Sequence, residues 1–274
     1  MRTALLVFPE SDYTRKIQDE ARASFADLFL GGKADSLPPV EAIALFYDFR
    51  DLTPIGWRGD EMIRRLADRL VAVDLLDQAA ELLEHQVDNR LQGVARAQVA
   101  TRLAVIYLMN HKPERAIATL QKTRTADVSN ELRDQRLLIQ ARALSDTGRH
   151  ELALELVANL DSHEAIRLRS DILWASKRWR DAAEQIELLY GDRWKKFGPL
   201  SEAERFDILR AAVGYSLGDD SLGLARFRER YMPKMTGTPD ARAFDVVSAP
   251  TGNANAEFQD IAKKVTSIDS LEAF

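Results

Sequence analysis

The four histidines are the side chains best suited to proton transfer or metal binding near neutral pH. They stand at positions 85, 111, 150 and 163. No two are three or four residues apart, so no single helix offers a metal ion a pair of imidazoles. His111 and His150 fall in turns. Cys is absent, which removes thiolate metal sites, iron–sulfur clusters, disulfides and a thiol nucleophile. Gly31-Gly32-Lys33 has neither the spacing nor the Ser- or Thr-led helix of a phosphate-binding loop. Each carboxylate is accounted for by a helix face or a cap, and a catalytic pair would need tertiary proximity. The residues therefore give no catalytic constellation, no metal and no cofactor, and the chain reads as a non-enzyme.

One stretch has the composition of a nucleic-acid surface. Trp174, Trp179, Tyr190, Trp194 and Phe197 are interleaved with Lys177, Arg178, Arg180, Arg193, Lys195 and Lys196. Stacking rings among cations is how single strands are held. Asp181, Glu184, Glu187 and Asp192 dilute that charge. The whole chain carries 38 Lys+Arg against 43 Asp+Glu, a net charge of −5, so no excess of positive charge awaits a polyanion. Nucleic acid is not an expected partner. The longest apolar runs, such as Ala4 to Phe8, are too short to span a bilayer or to form the apolar core of a secretory signal. No membrane insertion is expected, and a cytoplasmic location follows if Met1 is the natural start.

These side chains must be positioned by helices. The chain has 274 residues, 46% of them hydrophobic and 30% charged, enough for a buried core in a well-solvated shell. Ala/Leu/Arg/Glu stretches place apolar residues at i, i+3, i+4 and i+7. Thr3 to Phe8 is the one β-like tract. The periodicity predicts a helix over Asp12 to Leu30, stopped by Gly31-Gly32, and a second from Pro39 to about Arg50. Asp60 is the expected N-cap of the next. Helix pairs follow: Met62–Val73 with Leu76–Val87, Ala95–Met109 with Pro113–Lys122, and Asn130–Asp146 with His150–Asn159. His163–Ser176 pairs with Trp179–Tyr190, and Glu202–Leu217 with Leu222–Tyr231. Asp161/Glu164 and Ser201/Glu204 have capping-box spacing. Thr236 to Asn255 reads as a loop or mobile arm, Ala256 to Val265 as one last helix, and Leu271 to Phe274 as a helix cut mid-turn.

Aligned on their turns, the pairs share a spacing: a small residue, a large one three later, and Ala twelve after the first. The sets are Ala67/Leu70/Ala79, Ala104/Tyr107/Ala116, Ala141/Leu144/Ala153 and Ser170/Leu173/Ala182, with Ala212/Tyr215/Leu224 a looser fifth. Antiparallel helices approach only where side chains are small, and the large neighbour fills the adjacent gap. In this spacing the chain resembles the tetratricopeptide repeat family. The turns Asp146-Thr-Gly-Arg-His-Glu-Leu-Ala153, Ser176-Lys-Arg-Trp-Arg-Asp-Ala182 and Asn110-His-Lys-Pro-Glu-Arg-Ala116 are similar to the family's turn, with Gly148, His150 and Trp179 at its turn positions. The likeness covers about Asp60 to Tyr231. The stretch from Tyr47-Asp-Phe-Arg50 to Arg58-Gly-Asp60 is also similar to segments of large bacterial repeat proteins, which implies a piece of a longer chain.

The resemblance implies an all-α, right-handed α-solenoid of about five helix-turn-helix pairs. Residues 1–59 would form an N-terminal cap, 60–235 the repeats, and 236–274 an arm with a C-terminal helix. It implies a protein–protein interaction scaffold or adaptor that holds a peptide or a partner's helix in its concave groove. Carried over from the family's groove positions, the lining would be Arg64 and Asp68; Gln98, Thr101, Val105, Leu108 and Met109; Arg142, Ser145 and Asp146; and Arg167, Asp171 and Trp174. Arg and Trp are frequent binding anchors. The plainer reading is that these Arg residues pair with Asp68, Asp146 and Asp171 along exposed helix faces. The competing functions are a regulatory or targeting domain of a larger, enzymatic protein, and a module that self-assembles into a homo-oligomer through uncovered solenoid ends.

Overall fold

Ala, Leu, Glu and Arg fill the segments between turns, and helix is what they favour. A computed structural model describes residues 12–54, 56–249 and 256–266. Among these residues the chain is all-helical, with no strand. The β-like tract at Thr3 to Phe8 and the chain end at Leu271 to Phe274 lie outside the described residues. No described helix is long and apolar enough to cross a membrane. The chain divides into two compact units, Met1–Ser129 and Asn130–Phe274, a boundary inside the span read as one repeat region.

The first unit contains α1 (Asp12–Leu30), α2 (Pro39–Asp48), α3 (Trp57–Ala72), α4 (Leu76–Asn89), α5 (Gly93–Met109) and α6 (Pro113–Lys122). Helices α3 to α6 pack each on the next, and α1 and α2 pack against α3. Phe25, Phe29 and Phe46 form the seam of α1 and α2, with ring centroids 5.2 to 6.4 Å apart. Arg69 of α3 ties down the linker between them by donating to Ala34 O and Leu37 O, both at 2.8 Å. The expected cap at Asp60 is not used. The chain enters α3 one turn earlier, through Gly56, and the Asp60 carboxylate instead accepts from Arg90 at 2.9 Å.

The second unit contains α7 (Asn130–Asp146), α8 (His150–Val157), α9 (His163–Ala175), α10 (Trp179–Tyr190), α11 (Glu202–Leu217), α12 (Ser221–Met235), α13 (Ala241–Ser248) and α14 (Ala256–Thr266). Ser201 and Glu204 form the reciprocal cap of α11. At α9 the cap is Ser162, which accepts from Ala165 N at 3.2 Å, and not Asp161. The stretch read as a mobile arm contains a docked helix. In α13, Phe244 and Val247 are fully buried against α11 and α12, and Arg205 holds Asp240 at 2.7 Å. Its apolar stripe is only two residues long between Gly- and Pro-bearing flanks, which is why composition hides it. Phe258 and Val265 bury the apolar side of α14.

One local structure recurs in both units. Between the helices of each pair a single residue takes the left-handed conformation: Asp74 (φ 61°), His111 (φ 52°), Gly148 (φ 77°), Lys177 (φ 62°) and Asp219 (φ 52°). The next amide then donates back to a carbonyl five residues earlier. The bonds are Leu75 N to Leu70 O at 2.8 Å, Lys112 N to Tyr107 O at 2.8 Å, Arg149 N to Leu144 O at 2.9 Å, Arg178 N to Leu173 O at 2.8 Å and Asp220 N to Tyr215 O at 3.0 Å. This closes the C-terminus of the first helix by satisfying an orphan carbonyl. The acceptor is always the large residue of the small/large/small spacing. Every residue of that spacing is buried, and Ser170 Oγ reaches Ala182 O at 2.9 Å, so its two ends touch.

The turn generates a pair of expectations of opposite sign. A left-handed residue other than Gly costs about 1–2 kcal/mol, while Gly loses about 0.5–1 kcal/mol more chain entropy on folding. Lys177 is exposed, so Lys177→Gly should stabilise the chain by up to about 1 kcal/mol. Gly148→Ala should destabilise it by a similar amount. Urea unfolding of both variants checks the signs, and two changes of the same sign would contradict this turn geometry.

Candidate functional site

The first helix of each pair presents the residues that the family resemblance assigns to a groove. In the first unit these lie on α3 and α5. Arg64 is exposed and bonds Glu61 on its own helix, not Asp68. Asp68 instead pairs with Arg102 of α5 at 2.5 Å. Gln98 and Met109 are exposed and Val105 is half-buried. Thr101 is buried, and its Oγ1 donates to Ala97 O at 2.7 Å. Leu108 is buried too. What solvent meets here is Arg64, Gln98, Arg102 and Met109 around the Asp68–Arg102 pair.

In the second unit the residues come from α7 and α9. Arg142 is buried and pairs with Asp146 at 3.0 Å, the expected i, i+4 arrangement. Ser145 Oγ lies 3.1 Å from His150 Nδ1. Arg167, Asp171 and Trp174 are drawn together by α11. Arg167 forks onto Asp207 at 3.1 and 2.5 Å, and the Tyr190 hydroxyl donates to the same carboxylate at 2.5 Å. Arg210 bonds Asp171 at 2.5 Å while its guanidinium covers the Trp174 ring at 4.7 Å. Trp174 meets Trp179 edge to face at 5.0 Å. It is only 8% exposed, so it shapes the face from beneath. Gly214 lets α11 approach this cluster: a Cβ there would stand 2.8 Å from Trp179 O and 3.3 Å from the Trp174 ring.

The i, i+4 pairing expected for Arg64 with Asp68, and for Arg167 with Asp171, gives way to other partners. An acid C-terminal to its base is the weaker order along a helix. Arg167 and Asp171 gain partly buried, charge-assisted bonds from the neighbouring helix instead. The residues that sequence reasoning missed are Arg102, Asp207 and Arg210, and Tyr190 was read only as a ring of the aromatic-basic stretch. A signal for three of them was present: opposite charges 34, 39 and 40 residues apart (Asp68/Arg102, Asp171/Arg210, Arg167/Asp207), close to one repeat length.

The aromatic-basic stretch is largely neutralised. Arg178 pairs with Asp181, Arg180 with Glu184 and Asp220, Arg193 with Glu204, and Lys195 with Asp192. Among the described residues, no group of His, Asp and Glu is arranged to hold a metal ion. A cavity of about 350 Å³ in the first unit is lined by Tyr47, Arg50, Glu81 and His85, among others. Burial, helped by the Glu81 charge, pushes Tyr47 up to about 12. Tyr107 and Tyr231 are also pushed up to about 12, chiefly by burial. Tyr190 and Tyr215 rise further, through burial and then through bonds to Asp207 and Glu187.

Two expectations follow. Above pH 10 an unfolded chain sheds phenolic protons that these buried tyrosines keep, so the unfolded state binds fewer protons and stability falls with pH. Their contribution is fully present below about pH 10 and is lost as pH rises through about 12 for Tyr47, Tyr107 and Tyr231. Urea unfolding across that range should show the decline, and a flat profile would contradict it. Second, Asp207→Ala strands Arg167 and Tyr190 and should cost about 3–5 kcal/mol. Arg167→Met with Asp207→Leu should recover the part of that loss due to the stranded charge, because an ion pair can be replaced by apolar packing, while the Tyr190 hydroxyl stays without its acceptor. A double variant as unstable as the single one would contradict this reading.

Compared with known proteins, the chain matches no family model, no curated protein and no solved structure.

Proposed function

We propose that this chain is a non-enzymatic interaction scaffold, built as a right-handed solenoid of about five tetratricopeptide-like pairs, which holds an extended segment of a partner protein on the faces of its first helices. The recurrent turn carries the reading. A turn repeated with one acceptor position gives successive first helices the same relation to their second helices, and repeats so built display an extended binding surface. Within the first unit, the face formed by α3 and α5 supports the reading best. Arg64 and Arg102 keep about half of their side chains in solvent, and Met109 is 38% exposed beside them. Such a face suits an extended segment with acidic groups and an apolar side chain.

The titratable groups support a binding role over a catalytic one. General acid–base catalysis calls for groups tuned towards the working pH. Here the shifts run the other way. The buried tyrosines rise, while Glu61 is held below its ordinary value by Arg65 and Arg64, and Glu204 by Arg193. Each of these shifts is explained by burial or by a structural partner.

The test is photo-crosslinking within the first unit. A benzophenone amino acid replaces Gln98 on the α5 face or, as the control, Gln121 on α6; both positions are exposed. In native lysate, position 98 should label a protein that position 121 does not. Arg64→Glu with Arg102→Glu should cut that labelling about tenfold or more, the size of effect expected of a hot-spot pair. Equal labelling from both positions, or labelling indifferent to the charge reversals, would overturn the proposal.

A further inference from the structure

The segment joining α10 to α11 holds one aromatic side chain wholly in solvent. Phe197 is fully exposed, at the tip of Lys196-Phe197-Gly198. Scattered exposed apolar residues are ordinary on protein surfaces, but this one stands on a braced backbone. Lys234 of α12 donates from Nζ to Lys196 O, and to Gly198 O at 3.0 Å, the carbonyls on either side of Phe197. Arg193 donates to Pro199 O at 2.7 Å and pairs with Glu204 at 2.5 Å. A ring held out on fixed backbone loses little conformational freedom when it is buried by a partner. The charge beside it is positive. Lys196 forms no ion pair among the described residues, whereas Lys195 stands over the Trp194 ring at 4.9 Å and is paired with Asp192 at 3.1 Å, so the uncompensated charge at the tip is that of Lys196.

The same unit contains a hole of the opposite character. A cavity of about 470 Å³ opens between the end of α11, α12 and the end of α13. Leu224, Ala225 and Met232 give it apolar surface. Asp219 and Glu229 stand exposed at its edge, and Glu229 forms no ion pair among the described residues. The Arg228 charge is already taken up by Asp245 at 2.5 Å. An apolar cavity of about 150 Å³ suffices to admit benzene, so a benzyl side chain has room here. Because Phe197 stands in solvent, it does not fill this cavity within its own chain.

We propose that Phe197 of one copy of this chain docks into the Leu224–Met232 cavity of a second copy, with Lys196 meeting Glu229. The second copy is favoured as occupant by charge complementarity. A chain of net charge −5 repels itself in general, and this pairing sets a local positive tip against a local acidic edge. Knob and hole are different surfaces, so a docked pair still has one of each free, the hole on one copy and the knob on the other, and association runs head to tail. The contact stands independently of the partner-binding face proposed above.

Sedimentation velocity on the full chain tests it. The average mass should climb with concentration over about two decades, and added salt should weaken the association by screening the charges. Phe197→Ala should weaken it tenfold or more, as loss of a central aromatic anchor does. Ala225→Trp, which plugs the cavity and leaves Phe197 in place, should do the same. Both positions are exposed, and circular dichroism verifies that the variants fold. An equimolar mixture of the two variants keeps one knob and one hole, so it should form a dimer and stop there. A wild-type chain that stays monomeric, its cavity serving a different protein or a segment of its own chain, overturns the proposal. So does a Phe197→Ala chain that associates like wild type, or a mixture that stays monomeric while wild type assembles.

Discussion

Everything in the helix pairs depends on how the chain turns from the first helix into the second. The carbonyl of a large residue, Leu70, Tyr107, Leu144, Leu173 or Tyr215, accepts the amide five residues on, across one left-handed residue. That bond fixes where the second helix starts and therefore which side chains face the first. The small residues at 67, 104, 141, 170 and 212 are buried at the approach they permit. The large residue acts twice, its side chain filling the gap and its carbonyl closing the helix. Four of these turns place Asp, His or Lys where Gly would be least strained.

Successive pairs share apolar core, as Trp174, Ile186, Ile208 and Val213 do across two pairs of the second unit, and they also meet through charge. In the first unit Asp77 holds Lys112, Glu84 holds Arg115 and Asp88 holds Lys122 along the second helices, while Asp68 holds Arg102 along the first. In the second unit Glu187 receives Arg226 and Arg230, and Asp207 receives Arg167. The exposed pairs add little stability one by one. Their value lies in register, because each joins positions about one repeat apart. The half-buried pairs around Asp207 and Arg210 close the α9–α11 face of the second unit, and the α3–α5 face of the first is left with accessible cations. On the proposed scaffold reading, that contrast favours the first unit as the place for a partner.

The small/large/small spacing was legible because packing demands it locally, and all of its residues lie in the core. Helix positions followed for the same reason; the start of α3 moved to Trp57, where Asp60 turns to Arg90 instead of capping, and at α9 only the capping residue differs, Ser162 for Asp161. The partners of Arg64, Arg167 and Asp171 were not legible from helix-face logic, since the bonds that win come from elements 39 or 40 residues away or from a nearer acid. Trp174 read as a groove anchor by position, yet Arg210 covers it. Helix α13 escaped notice because Phe244 and Val247 are its only fully buried apolar side chains.

Amide hydrogen exchange, read residue by residue by NMR, tests the central claim most directly. If the turn is one structure used five times, the amides of Leu75, Lys112, Arg149, Arg178 and Asp220 are protected although each sits in a turn, because each donates to a buried large residue's carbonyl. Rapid exchange at those five positions, while the flanking helices stay protected, would contradict the account.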